Sequence, residues 1–359
     1  MEQSEQTTGS AEKEMVRMLF QELRKERKVR YMRLVTTIII SLVSFYLIFG
    51  NTRNSDMSGL KFRKKTYYTE NPENKKSGSV SIAVKPVEGT LYGNAIIEHV
   101  GSGFPFQSTK NMVWEIREFL SEIKKDKNIK LLVLFIDSPG GTTFASEEIY
   151  SMLLGWKKET GIRVLAYINT VGASGGYYVA QAADEIVANE QAITGSIGVI
   201  LSTWDYSDLA SRIGIKFNVV TTGPFKDIGS PHRVMREDEK MILQNLLDQS
   251  FQRFLAVIAT GRKGKITSEK IRALADGRIY TGAEAFGNGL IDRTSSFDAM
   301  IKEEIHRIKE NGYEGGVKVD IYGRETSTFS ASFSSFFSSP TTNRIATPQL
   351  MYLWPGLRS

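Results

Sequence analysis

Residues 131–141 read LLVLFIDSPGG, an uncharged apolar run that ends in Asp137, Ser138, Pro139 and two glycines. A run of this length without polar alternation predicts a strand buried on both faces, and the Pro-Gly-Gly that follows turns the chain away. Working outward, EEIYSMLLGWKK at 147–158 predicts a helix and RVLAYIN at 163–169 a second buried strand. Beyond it the pattern gives a helix from about 174 to 183, EIVAN, the turn-rich AITGSIGVI, a helix near 205–213 and a strand at KFNVVTT. Upstream, SVSIAVKPVEGTL reads as a strand or hairpin and residues 109–125 as a helix; downstream, 236–260 and 267–275 are helical. Apolar strands alternating with helical crossovers predict an α/β domain with largely parallel strands. No tandem duplication is visible.

The chain has 359 residues, 41% of them hydrophobic, which is enough apolar side chain for a sizeable core. Its formal charge of +6 is carried entirely by residues 1–65, which hold 13 Lys or Arg against 7 Asp or Glu. A neutral body behind a basic leader argues against a nucleic-acid partner. The absence of Cys excludes disulfide scaffolds, Cys-ligated zinc, iron–sulfur clusters and thiol catalysis. His99, His232 and His306 are widely separated, form no clustered metal motif and offer few general bases.

LVTTIIISLVSFYLIFG at 34–50 carries no charge over 17 residues and is expected to span a membrane as an uncleaved anchor. RKERKVR with Arg33 on its N-terminal side places the leader, residues 1–33, in the cytoplasm and the rest of the chain outside it. Within the leader, Met15, Met18, Leu19 and Leu23 fall on one helical face, which suits either a helix along the inner leaflet or a solvated extension of the anchor. Residues 51–78 read as a linker, 79–311 as the main domain, and 312–359 as a Ser/Phe-rich tail. In that tail Phe329, Phe333, Phe336 and Phe337 stand at helical spacing.

Three Gly-rich loops stand beside reactive groups. DSPGG at 137–141 is a tight strand-to-helix turn or an oxyanion site built from outward-facing amides. In VGASGGYYVA at 171–180, Ser174 reads either as a helix N-cap or as a nucleophile whose small neighbours let a carbonyl approach. No His occupies an obvious position as its base. A Lys can serve where burial disfavours the ammonium form, and Lys226 in TTGPFKDIGSP is the candidate; its other reading is a solvated loop Lys.

Taken jointly, DSPGG with SEEIY, ASGGYYVA, TGSIGVI, KDIGSP with His232 and Arg233, and ATGRK with LADGRIYTGAEAFGNGLID resemble the bacterial signal peptide peptidase A (protease IV) family over residues 79–295. The resemblance implies a Clp/crotonase-like α/β fold of repeated ββα units, a Ser/Lys dyad, and a homo-oligomeric ring anchored in the bacterial plasma membrane. It implies that Ser174 is the nucleophile and Lys226 the general base, with oxyanion amides from Gly141 (or Gly140) and Gly175 and with Ser196 orienting the Lys amine. The function so implied is cleavage of apolar, membrane-derived peptides such as remnant signal peptides, without cofactor or metal. The family includes double-length chains whose two halves each contribute to a site, whereas this chain has one copy. The alternatives are a Clp-type Ser/His/Asp protease, disfavoured because no His falls where it would be needed, a crotonase-like acyl-CoA enzyme, and a catalytically silent oligomeric membrane scaffold.

Overall fold

In the computed structural model, which describes Thr36 and residues 62–69, 79–92, 112–324 and 351–353, the run at 131–137 forms the middle of strand β3. Thr36, a helical residue, belongs to one compact unit, Met1–Gly59 with His99–Gln107; the other described residues belong to a second, Leu60–Glu98 with Ser108–Ser359. Apart from Thr36, the expected span at 34–50 lies outside the described residues, as do the leader helix and the phenylalanine stripe of the tail. Among the described residues no helix is long and apolar enough to cross a membrane.

The second unit is a mixed α/β fold. In chain order its elements are β1 (Phe62–Thr69), β2 (Val80–Glu88), α1 (Met112–Ile123), β3 (Ile129–Ser138), β4 (Gly140–Thr142), α2 (Thr143–Thr160), β5 (Arg163–Ala173) and α3 (Gly175–Ala180). They continue with β6 (Glu185–Ala188), β7 (Ile193–Gly195), α4 (Ser207–Arg212), α5 (Glu237–Gly261), α6 (Ser268–Leu274), β8 (Ile279–Thr281), α7 (Gly282–Asn288), β9 (Arg293–Thr294), α8 (Phe297–Glu310), β10 (Val317–Arg324) and β11 (Met351–Leu353). The main sheet runs β1-β10-β2-β3-β5-β6-β9, with β7 paired to the far end of β5 and β8 to β7. All these pairs are parallel except β1 with β10 and β7 with β8.

The central strands β2, β3 and β5 are largely apolar because helices cover both faces of the sheet. On β3, Leu132, Leu134 and Ile136 join Ile116 and Phe119 of α1 and Ile149 and Leu153 of α2. The alternate residues Leu131 and Val133 pack with Met300, Ile301 and Ile305 of α8 on the other face. This is the two-residue period of a strand read out as two cores, each buried Leu or Ile contributing about 1.5–3 kcal/mol.

The sheet also takes in residues on either side of 79–311. β1 lies in the stretch read as a linker and β10 in the stretch read as a tail, yet β10 is sandwiched between β1 and β2. Val317 and Val319 alternate with polar residues and join the α8 core. One sequence reading needs correction: KFNVVTT at 216–222 forms no strand. Val220 is 97% exposed, and the segment finds no ladder partner among the described strands. A strand without a partner leaves its backbone groups unpaired, so the segment follows its side chains instead: the Phe217 ring stacks on His232 with centroids 4.0 Å apart.

Candidate active site

Parallel strands β3, β5 and β7 end side by side, and the Gly-rich loops leave from these carboxyl ends, where ligands of open α/β sheets bind. Ala173, the last residue of β5, pairs with Gly195, the last of β7, so Ser174 and Ser196 emerge as neighbours. They are the only non-glycine residues with positive φ among the described residues, at 53° and 49°. Ser174 is a single strained residue between strand and helix, with ψ at −114°, and its hydroxyl makes no capping bond to α3. Ser174 thus stands at the N-cap position of α3 without the side-chain bond that a capping serine makes. A strained strand-to-helix turn is a device that can set a nucleophile at the end of a sheet, and holding it costs about 1–3 kcal/mol.

Backbone bonds fix that turn. The Ser174 N–H donates to the Gly195 carbonyl at 2.8 Å, and the Ser174 carbonyl accepts from Tyr178 N–H at 2.8 Å. Across the site the Ser196 N–H donates to the Arg278 carbonyl at 2.8 Å. Asp137, at the end of β3, accepts from the Val171 N–H and the Asn169 side chain, both at 3.2 Å, and ties β3 to β5.

The glycines are demanded by contact. Gly140 has φ 104°, open to glycine alone at low cost. A β-carbon on Gly141 would lie 2.0 Å from the Leu91 carbonyl oxygen, and one on Gly175 would lie 3.0 Å from the Gly141 amide nitrogen. Strand β4 is pinned by Leu91, whose N–H donates to Gly140 and whose carbonyl accepts from Thr142, each at 2.8 Å. Thr142 then caps α2 through its hydroxyl, which accepts from Ala145 N–H at 3.2 Å. Gly141 and Gly175 are therefore in contact beside Ser174.

Ser174 and Ser196, only 1% and 7% exposed, line a cavity of about 600 Å³. Its wall is mixed, with Ile197, Val199, Leu247 and Phe251 beside the polar Gln244, Asp248 and Asp276. Leu247 and Phe251 come from α5, whose part in the site the sequence reading missed; the signal available was an apolar pair four residues apart on one helical face.

Lys226 is not brought into this cavity. It is exposed, in a turn whose Lys226 N–H donates to the Gly223 carbonyl at 3.1 Å. The turn is held to the start of α5: Arg233 donates to Asp227 at 2.8 Å and to the buried carboxylate of Glu239, and Arg236 donates to the Pro224 carbonyl at 2.6 Å. The hydrogen bonds from Arg233 hold the Glu239 carboxyl well down, at about 2. Arg233 stood in the motif string, but its role as a clamp on the Lys226 turn was not read.

Residues 156–308, which contain both serines, Gly175 and Lys226, match the model of peptidase family S49. The chain carries a peptidase family S49 domain. The resemblance to signal peptide peptidase A and protease IV is borne out by relatives of those names. The chain is 42% identical over 169 residues to a putative protease of Synechocystis sp., covering 47% of this chain and 60% of the relative. It is 34% identical over 218 residues to a putative signal peptide peptidase SppA of Enterococcus faecium (59% and 62% covered) and 29% over 240 residues to Protease 4 of Haemophilus influenzae (66% and 37%). The matched part thus spans about three fifths of the first two relatives. A solved 1510-N membrane-bound stomatin-specific protease aligns over 72% of this chain and 98% of its own, at 14% identity and a TM-score of 0.41.

Proposed function

We propose that the chain is a serine endopeptidase that uses a Ser174/Lys226 dyad on a Clp/crotonase-like fold. The observation that carries this reading is the strained Ser174, set between a cavity and the Gly141–Gly175 contact. Lys226, as the neutral amine, takes the Ser174 Oγ proton while Oγ attacks the scissile carbonyl. The Gly141 and Gly175 amides donate to the oxyanion as it forms. The protonated amine then delivers its proton to the leaving nitrogen, and water hydrolyses the acyl-enzyme. Ser196 orients the amine from the opposite wall. The apolar part of the cavity wall, Ile197, Val199, Leu247 and Phe251, suits hydrophobic side chains, which fits membrane-derived peptides such as remnant signal peptides; that reading agrees with the names of the relatives.

In this reading Lys226 reaches Ser174 of a neighbouring copy in a closed ring. Its exposure supports that arrangement, as does the cavity wall, to which Lys226 does not contribute. Trp204, Leu209, Ile213, Val219, Val220 and Val234 are all exposed on the stretch of chain between β7 and α5, an amount of exposed apolar side chain that a partner would be expected to cover. The ring is anchored by residues 34–50 in the bacterial plasma membrane, with the leader cytoplasmic and the peptidase domain outside. Two measurements test the function. Purified protein should hydrolyse a synthetic signal peptide, and Ser174→Ala should abolish this without changing the unfolding midpoint; retained hydrolysis would overturn the assignment. Protease added to intact spheroplasts should digest the body, and complete protection of the body would reverse the topology.

A further inference from the structure

Helix α2 starts directly after β4, and its first turn lies against Gly175, where a β-carbon would meet the Ser146 hydroxyl. The next residue, Glu147, does not line the cavity. Its carboxylate instead joins α2 to α3 and α5. From α3, the Tyr178 hydroxyl donates to Oε2. From α5, Arg253 donates through Nε to Oε2 at 3.0 Å and through Nη2 to Oε1 at 2.7 Å. Ser151, one turn further along α2, donates to Oε1 at 3.1 Å. Each oxygen thus accepts two hydrogen bonds, the full capacity of an ionised carboxylate. Partial burial alone would raise the Glu147 carboxyl, but the bonds from Arg253 and Tyr178 outweigh it and hold the group below the usual carboxylate range.

Tyr178 and Arg253 are each fastened to a different part of the site. The Tyr178 N–H donates to the Ser174 carbonyl, and the buried Tyr178 ring packs on Tyr150 and Phe254 with centroids 5.5 and 5.0 Å away. Arg253 stands beside Phe254 on the helix that supplies Leu247 and Phe251 to the cavity wall. We infer that Glu147 is a positioning residue with two arms: through Tyr178 it sets Ser174 and Gly175 against Gly141, and through Arg253 it sets the α5 wall of the cavity. This rests on the peptidase reading for the reaction served. One arm holds the reacting groups and the other the wall that receives a substrate side chain, so the arms act on different kinetic constants. Displacing reacting groups lowers kcat, whereas loosening a surface that binds substrate and transition state alike raises KM.

The test is steady-state hydrolysis of an apolar synthetic peptide by the full chain and by Tyr178→Phe, Arg253→Met and Glu147→Gln. Phe keeps the ring packing and Met keeps the stem, so each change removes donors alone. Gln has the shape of Glu but one oxygen acceptor, and its amide nitrogen accepts from neither Arg253 nor Tyr178. Tyr178→Phe should lower kcat about tenfold with little change in KM, and Arg253→Met should raise KM about tenfold with little change in kcat. Glu147→Gln should show both effects. Adding Tyr178→Phe to Glu147→Gln should lower kcat no further, because the hydroxyl has already lost its acceptor. If Glu147→Gln fails to fold, the two single-arm variants carry the test. Variants that lose only thermal stability, with kcat and KM unchanged, would make the cluster a structural tie and overturn the inference. So would kcat and KM moving together in both single-arm variants. An active unmodified chain without the split overturns this inference alone, whereas an unmodified chain that hydrolyses no peptide refutes the peptidase reading and, with it, this role for Glu147.

Discussion

Gly175 sits so close to Gly141 that a β-carbon at position 175 would lie 3.0 Å from the Gly141 amide nitrogen and 2.5 Å from the Ser146 hydroxyl oxygen. The hydroxyl can turn away, but the amide belongs to a strand pinned on Leu91 and cannot move without disturbing the turn. This contact brings the two proposed oxyanion donors together, and it makes the site sensitive to a single methyl group.

Gly175→Ala should therefore lower kcat by about 10²–10³-fold, the usual loss when an oxyanion donor is displaced, with a smaller change in KM. Gly155 is a suitable control, being mid-helix in α2 with open space around it. Gly155→Ala should leave kinetics unchanged and add about 0.5–1 kcal/mol of stability. Steady-state kinetics and thermal unfolding check both, and a Gly175→Ala enzyme with full kcat would remove Gly175 from the machinery.

Ser174 holds φ 53° as a residue with a side chain. Ser174→Gly should relieve that strain and stabilise the fold by about 1 kcal/mol while abolishing hydrolysis. Ser174→Ala should abolish hydrolysis without the gain. Urea unfolding separates the cases; a Gly variant less stable than the Ala variant would mean that the turn is not strained.

Arg233 clamps the Lys226 turn through Asp227 and Glu239. The Glu239 carboxyl is lowered from 4.5 to about 2 in the folded chain, so its contribution to stability is present above pH 4.5 and is lost as pH falls from there to about 2. Unfolding midpoints measured across that window should fall with acidity, and Glu239→Gln should flatten the dependence while lowering stability at neutral pH. Arg233→Ala should reduce kcat about tenfold or more by freeing the turn, with substrate binding less affected. An unchanged acid profile in Glu239→Gln would show that other carboxylates govern it.

Much of the frame was legible because it depends on local pattern. LLVLFID and RVLAYIN could only be strands covered on both sides, and the small residues around Ser174 announced a tight turn. What escaped depended on partners far along the chain. The alternation in VKVDIYGR could not say that β10 would enter the sheet beside β2, nor could LMYLW announce its pairing with Gly141. KFNVVTT has strand-forming residues but finds no ladder among the described strands, and propensity alone does not supply one. The same limit applies to Lys226, for sequence spacing could nominate it but could not tell whether it meets Ser174 within one chain.

Co-assembly of two inactive chains addresses that question directly. Ser174→Ala and Lys226→Ala subunits, each devoid of activity alone, are refolded together at one to one, and mixed rings are verified by tags on each type. If Ser174 and Lys226 meet across neighbouring subunits, about a quarter of the sites in a randomly mixed ring receive both intact groups, and hydrolysis returns to roughly that fraction of the unmodified enzyme. Mixed rings that recover no activity would contradict a dyad formed between chains.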